Sequence, residues 1–203
     1  SGEMIGTFAL SEGNGTPKPH NINSTFADGK LSGQKLPVND GQVSDFIVVA
    51  ANTDTNKKNN SLSLVIVKSN QDGVKSESLE TIDPSRPSSK IVLDNADAEL
   101  LGNSGEGWEM IQKIFDRAAV LFAFEQVGGA QVALDEAKKY SLERYAFGKQ
   151  IGAFQALKHK MADMYVKIEL AKSNAYYGAW ALSSESNELP VAAAGARVSA
   201  IDA

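Results

Sequence analysis

Arg144 carries a planar, permanently charged fork that suits a diphosphate, and it stands just past the end of a long predicted helix. The same residue also reads as a surface arginine paired with Glu143 or Asp135, and nearby Phe147 as an ordinary core anchor. Other chemistries are closed off by composition. The 203 residues include no cysteine, which removes disulfides, thiolate metal sites and a cysteine nucleophile. The two histidines, His20 and His159, lie too far apart in sequence for a local metal box. A net charge of −5 argues against a nucleic-acid footprint or an anionic membrane surface. No run approaches the roughly 20 apolar residues of a membrane span, and no basic segment followed by an apolar signal core opens the chain. An intracellular place, in the cytoplasm or an organelle matrix, is the expectation.

The elements that must position these residues fall into two halves with different periods. Met4–Leu10, Phe46–Ala51 and Ser63–Val67 are apolar strand signals, the second reading as buried on both faces. Asp28-Gly29 between Thr25-Phe26-Ala27 and Lys30-Leu31-Ser32 predicts a tight hairpin. Asn52 to Asn60 reads as an exposed hairpin loop, Val74 to Ile82 as an alternating strand, and Ser89 to Leu93 as the last of the set. Short strands with turn signals between them predict an antiparallel barrel or sandwich over residues 1–100. Residues 101–203 change to a helical period. One stretch runs from Glu106 to Tyr140 with Ile111, Ile114, Ala118, Leu121, Val127 and Leu134 on its apolar stripe. A second runs from about Phe154 to Leu182 through Leu157, Met161, Met164, Ile168 and Ala171, and a third begins after Pro190. The class is α+β, a β domain followed by an antiparallel and incomplete bundle of long helices.

The first helix would be roughly 50 Å long against a domain diameter near 40 Å. It would overhang, and its stripe then needs helices from elsewhere. Gly128-Gly129 in its middle either admits another backbone closely or breaks the helix in two, at roughly 1 kcal/mol per glycine relative to alanine.

The stretch from Gly128 to Ile151, with Arg144-Tyr145-Ala146-Phe147-Gly148-Lys149-Gln150-Ile151 at its core, then Phe154-Gln155 and Met161-Ala162-Asp163-Met164, resembles the acyl-CoA dehydrogenase family. Phe8-Ala9-Leu10-Ser11-Glu12, Ser32-Gly33-Gln34-Lys35 and Leu101-Gly102 through Gly107-Trp108 extend the resemblance over nearly the whole chain. The resemblance implies a flavoprotein oxidoreductase of fatty-acid β-oxidation. Such an enzyme holds FAD, oxidises an acyl-CoA to the trans-2-enoyl-CoA and hands electrons to an electron-transferring flavoprotein. It implies a homo- or hetero-oligomer, a dimer or tetramer built through the helical domain, in which Arg144, Phe147 and Gln155 approach a neighbouring subunit's FAD. Leu10 and Ser11 would contact the flavin ring, with Val38 and Asn39 on a second contact strand. Asp116 and Arg117 match a region that approaches CoA, and helix charges on a solvated face explain them equally well.

The sequence also departs from the family. Pro37 stands where an aromatic residue packs on the flavin, Asn39 where a hydroxyl bonds it, and Thr16-Pro17-Lys18 where Gly-Ser-Asp is usual. Desaturation needs a carboxylate to take the α-proton, and geometry comes first in assigning it. In most relatives that glutamate lies in a segment later than Ala203. In a minority it matches Ala118, beside an arginine matched by Ala119. Glu125, two turns on, is the remaining candidate, though a lone glutamate beside Gln126 also reads as solvated or paired. The expectation is therefore the middle β-domain and first bundle helices of a longer subunit, with the base outside it. A divergent hetero-oligomer subunit that lends residues to a partner's FAD, or a purely structural assembly module, are the other readings.

Overall fold

Asp28 and Gly29 both take the left-handed backbone, φ 52° and 75°, and turn strand β2 (Thr25–Ala27) into β3 (Lys30–Asn39). This is the two-residue hairpin expected of an Asp-Gly pair, whose twist matches that of the flanking strands. The computed structural model describes residues 2–13, 15–54, 61–83 and 85–203, so residues 55–60 of the expected Asn52–Asn60 loop lie outside it. The remaining strands are β1 (Gly6–Ala9), β4 (Phe46–Asn52), β5 (Leu62–Lys68), β6 (Val74–Leu79) and β7 (Ser88–Leu101). Helix α1 is Gly107–Glu143. The two-residue strands β8 (Tyr145–Ala146) and β9 (Lys149–Gln150) precede α2 (Gln155–Ser183) and α3 (Leu189–Asp202).

The chain divides into two compact units, Ser1–Ile111 and Gln112–Ala203. In the first, pairing runs β4–β2–β3–β7–β5 and closes back onto β4, a barrel path, with β1 added to β4 and β6 to β7. Its interior includes Val38, Ile47, Val49, Val65, Val67 and Ile91, β-branched side chains suited to a pleated, buried surface, together with Leu31, Leu93 and three alanines. Most pairs are antiparallel. β1 and β4 are parallel, Gly6 opposite Phe46 through Ala9 opposite Val49, contrary to an all-antiparallel set. Parallel neighbours need a long crossover, and residues 10–45, which hold the β2–β3 hairpin, supply it. β7 runs past the expected Leu93 to Leu101, through Asn95 at φ 51°. The expected alternation from Val74 to Ile82 also fails: β6 ends at Leu79, pairs only with β7 and buries none of its residues, and Ile82 is exposed. Phe46 and Val48 of β4 are only half-buried, so that strand is enclosed less completely than its composition suggests.

In the helical unit, α1 continues unbroken through Gly128-Gly129, which settles the long helix over a broken one. A Cβ at either glycine would meet nothing within 4 Å, so among the described residues no other element's backbone approaches there. Ser141 of α1 meets Met161 of α2, while Val120 lies against Gly178, so the two helices are antiparallel. α3 returns along α2, with Asn174 beside Gly195 and Lys167 bonded to Asp202. The core is Ala123, Val127, Ala171, Ala175, Ala196 and Ala200. The expected stripes hold in part: Ile111, Val127, Leu134, Ile168 and Ala171 are buried, whereas Ile114, Leu121 and Met164 are exposed and Val120 and Ala123 are buried instead. Periodicity found the helices. Alanines, too small to weigh in an apolar count, decided which face packs. Among the described residues no helix is long and apolar enough to cross a membrane.

Candidate functional site

Leu10-Ser11-Glu12 follow the end of β1, and this segment and β1 are tied to β3 by polar contacts. Leu36 N donates to the Ser11 carbonyl at 2.9 Å, and Thr7 Oγ1 donates to the Asn39 carbonyl at 2.5 Å. The four strand-unit residues expected at a cofactor, Leu10, Ser11, Val38 and Asn39, thus share one end of the sheet. Their side chains differ in direction. Leu10 is buried with Ile22, Ala50, Leu62, Leu64 and Ile111, and Val38 is fully enclosed in the barrel, so either could meet a ligand only through backbone. Ser11 Oγ donates to the Gly13 carbonyl at 3.1 Å. Asn39 is exposed, its carboxamide has no partner among the described residues, and Pro37, two residues before it, is exposed as well.

Beneath this edge lies an ion pair that the sequence motifs contain but do not announce. Lys35 is 0% exposed, with Nζ 2.8 Å from Glu12 Oε1 and 3.2 Å from the Leu10 carbonyl. Glu12 Oε1 also accepts from Ser24 N at 2.9 Å and Ser24 Oγ at 2.7 Å, and Oε2 accepts from Asn23 N at 2.7 Å. Burial works to raise the Glu12 pKa, but the Lys35 and Ser24 bonds and the Lys35 charge prevail and hold it at about 2. Burial pulls the Lys35 ammonium down, against Glu12. A strict two-residue alternation would set Lys35 and Val38 on opposite faces; the register shift between them in β3 turns both inward.

Helix α1 ends at Glu143, and Arg144 follows, bonded through its backbone to Tyr140 and Ile151. The β8–β9 hairpin turns at Phe147 (φ 53°) and Gly148 (φ 78°). Phe147 is 96% exposed, its ring edge-to-face with Phe154 at 6.3 Å, and Lys149 Nζ sits 4.4 Å over the Phe154 ring. Gln155 opens α2 and is exposed. Arg144, Phe147 and Gln155 are therefore gathered around one hairpin. Arg144 makes no ion pair with any described residue, so the expected alternatives of Glu143 or Asp135 as partner do not occur, and Phe147 is no core anchor. This donor set fits a diphosphate-bearing aromatic group: an unpaired guanidinium, an amide and a bare ring. Asp116, half-buried, has its pKa raised by burial, and Arg117 and Glu125 are exposed on α1 without ion-pair partners among the described residues. Among the described residues no three acidic or histidine side chains gather to hold a metal.

Two hollows of the strand unit differ in relevance. One of about 610 Å³, lined by Met4, Phe46, Ile66, Lys68, Asp97 and Glu99, contains none of the expected residues. A smaller one of about 200 Å³ is lined by Ser11, Glu12, Gly13, Pro17, Asn21 and Asn23. The smaller lies at the chemistry; volume alone does not locate a site.

Residues 105–203 match the family model described as acyl-CoA dehydrogenase, C-terminal domain. The chain is 32% identical over 190 residues to the 3-(aryl)acrylate reductase of Clostridium sporogenes, covering 88% of this chain and 50% of that protein. It is 34% identical over 181 residues to the mitochondrial short-chain specific acyl-CoA dehydrogenase of Bos taurus, covering 85% and 44%. The solved butyryl-CoA dehydrogenase of Megasphaera elsdenii superposes with a TM-score of 0.88 at 26% identity, covering 98% of this chain and 54% of that one. The chain spans about half the length of the curated relatives it matches.

Proposed function

The chain belongs to the acyl-CoA dehydrogenase family, and on that premise we propose that it serves in an FAD-dependent subunit that desaturates an acyl-CoA thioester to the trans-2-enoyl-CoA. The electrons would pass on to an electron-transferring flavoprotein, in the cytoplasm or an organelle matrix. FAD, when bound, supplies the hydride acceptor. The residues of this chain do the holding. Arg144 forks onto the diphosphate, Gln155 adds an amide, and Phe147 lays its ring against the cofactor. On the strand unit, the backbone at Leu10 and Ser11 and the free carboxamide of Asn39 border the ring, with Val38 acting through its backbone. Asp116 and Arg117 lie toward CoA, and the proton-abstracting carboxylate comes from outside these residues, with Glu125 the candidate that this chain itself offers.

The observation that carries this reading is the trio Arg144, Phe147 and Gln155, exposed around one hairpin, with no side-chain hydrogen bond or ion pair to any described residue. A second reading draws support from Pro37, exposed where relatives carry an aromatic ring, and from Asn39 in place of a hydroxyl. In it the chain lends the trio to the FAD of a different subunit in a hetero-oligomer. Visible absorbance separates the two. About one FAD per purified chain supports the first reading, and flavin that appears only with an added partner subunit supports the second. Under either reading Arg144→Ala weakens FAD binding about 10- to 100-fold, since a charged hydrogen-bonded contact contributes about 1.5–3 kcal/mol. Unchanged cofactor content in that variant overturns the site assignment.

A further inference from the structure

Burying a lysine and a glutamate together costs several kcal/mol per ion before their attraction is counted, and well-packed apolar replacements are often as stable or more so. The hydrophobic cluster inside this barrel is aliphatic, built of valine, isoleucine, leucine and alanine, and apolar packing of that kind gives no reason for the Lys35–Glu12 pair. The geometry does. Lys35 Nζ donates to the Leu10 carbonyl at 3.2 Å and to Glu12 Oε1 at 2.8 Å, the residues immediately before and after Ser11. The Ser11 carbonyl is itself held by Leu36 N, the residue next to Lys35. Glu12 reaches across to Ser24 N and Oγ at the start of β2. One ammonium therefore clamps the chain on both sides of Ser11, and one carboxylate fastens that clamp to a third segment.

We propose that Lys35 and Glu12 are positioning residues that fix the Leu10–Ser11 backbone at the spacing a bound flavin ring requires. The inference rests on the reading of that edge as a flavin contact. Neither side chain touches the cofactor; each acts through the main chain between them.

The test compares the purified protein with Lys35→Met, Glu12→Gln and a control, Val65→Ala, from the barrel interior. FAD affinity by fluorescence titration, the visible flavin bands and the thermal midpoint are read for each. Lys35→Met is expected to weaken FAD binding about 10-fold or more and to shift the visible bands. Val65→Ala, though destabilised, should hold FAD within about twofold with unshifted bands, as a loss that spares the edge. Glu12→Gln keeps an oxygen for Lys35 and Ser24 while removing the charge, and should fall between the two. It carries the same criteria should Lys35→Met fail to fold. Unaltered affinity and bands in both pair variants, with a lowered midpoint, make the pair structural and overturn the proposal. Absence of FAD binding in the unsubstituted protein overturns the reading beneath it, an outcome recognised without any variant.

Discussion

In the strand unit Glu12 accepts five hydrogen bonds, from Asn23, Ser24 and Lys35, and its lysine is sealed from water. In the helical unit Arg144, equally prominent in the sequence, engages no described carboxylate, and Phe147 beside it stands almost wholly in solvent. The first arrangement satisfies its charges internally; the second leaves them for something that is not this chain. A buried polar cluster rigidifies what it touches, whereas an unpaired guanidinium and a bare ring gain only when a partner arrives. Under the proposed function, each unit would serve the cofactor in its own way, one by fixing backbone and the other by presenting side chains.

The largest effect should come from removing the carboxylate that anchors the first arrangement. Glu12→Ala strands a charged lysine in the barrel and should destabilise by about 3–5 kcal/mol in a denaturant titration. A loss below about 1 kcal/mol would erase the contrast between the units. The same group gives a pH signature. Its pKa is held near 2 in the folded chain against 4.5 ordinarily, so its contribution is complete above about pH 4.5 and is lost as pH falls from there toward about 2. In Glu12→Ala, the part of the acid slope due to this residue should vanish.

The two arrangements were unequally legible in the sequence. The Asp28-Gly29 hairpin, the buried runs in β4 and β5 and all three helices follow from turn chemistry and period. The Arg144–Phe147–Gln155 trio follows from a dense motif whose residues are close along the chain. Glu12 and Lys35 stand inside motifs too, but they are far apart along the chain, and only the bridge that sets Glu12 beside Leu36 of β3 shows that they meet. Likewise the parallel β1–β4 register depends on a crossover that local patterns do not encode. The buried helical face was misread at Ile114 and Leu121 because alanine does the packing in this bundle.

A smaller effect sharpens the helical side. Gly128→Ala and Gly129→Ala place a methyl in open space, so each should stabilise the isolated chain by about 1 kcal/mol through helix propensity alone. Thermal melts of the two variants check this. If a partner helix crosses at those glycines in the assembled protein, the same substitutions should weaken assembly, read by sedimentation, while the monomer melts higher. Stabilisation with unchanged assembly would leave that stretch of α1 facing water.

The finest distinction concerns Phe147, held at φ 53° in the first position of a two-residue hairpin turn that favours asparagine followed by glycine. A phenylalanine pays no dividend to the turn there: its backbone is strained and its ring is in solvent, apart from one edge contact with Phe154. Phe147→Asn should therefore raise stability slightly, by about 0.5 kcal/mol, on relieving a left-handed backbone that an aromatic residue adopts reluctantly. It should at the same time weaken FAD binding by removing a ring face. A rise in the melting midpoint together with a fall in cofactor affinity would mark Phe147 as a residue kept for what it meets outside its own unit. A fall in both would mean that the Phe154 contact holds the hairpin, and the helical unit would then resemble the strand unit in fixing its site from within.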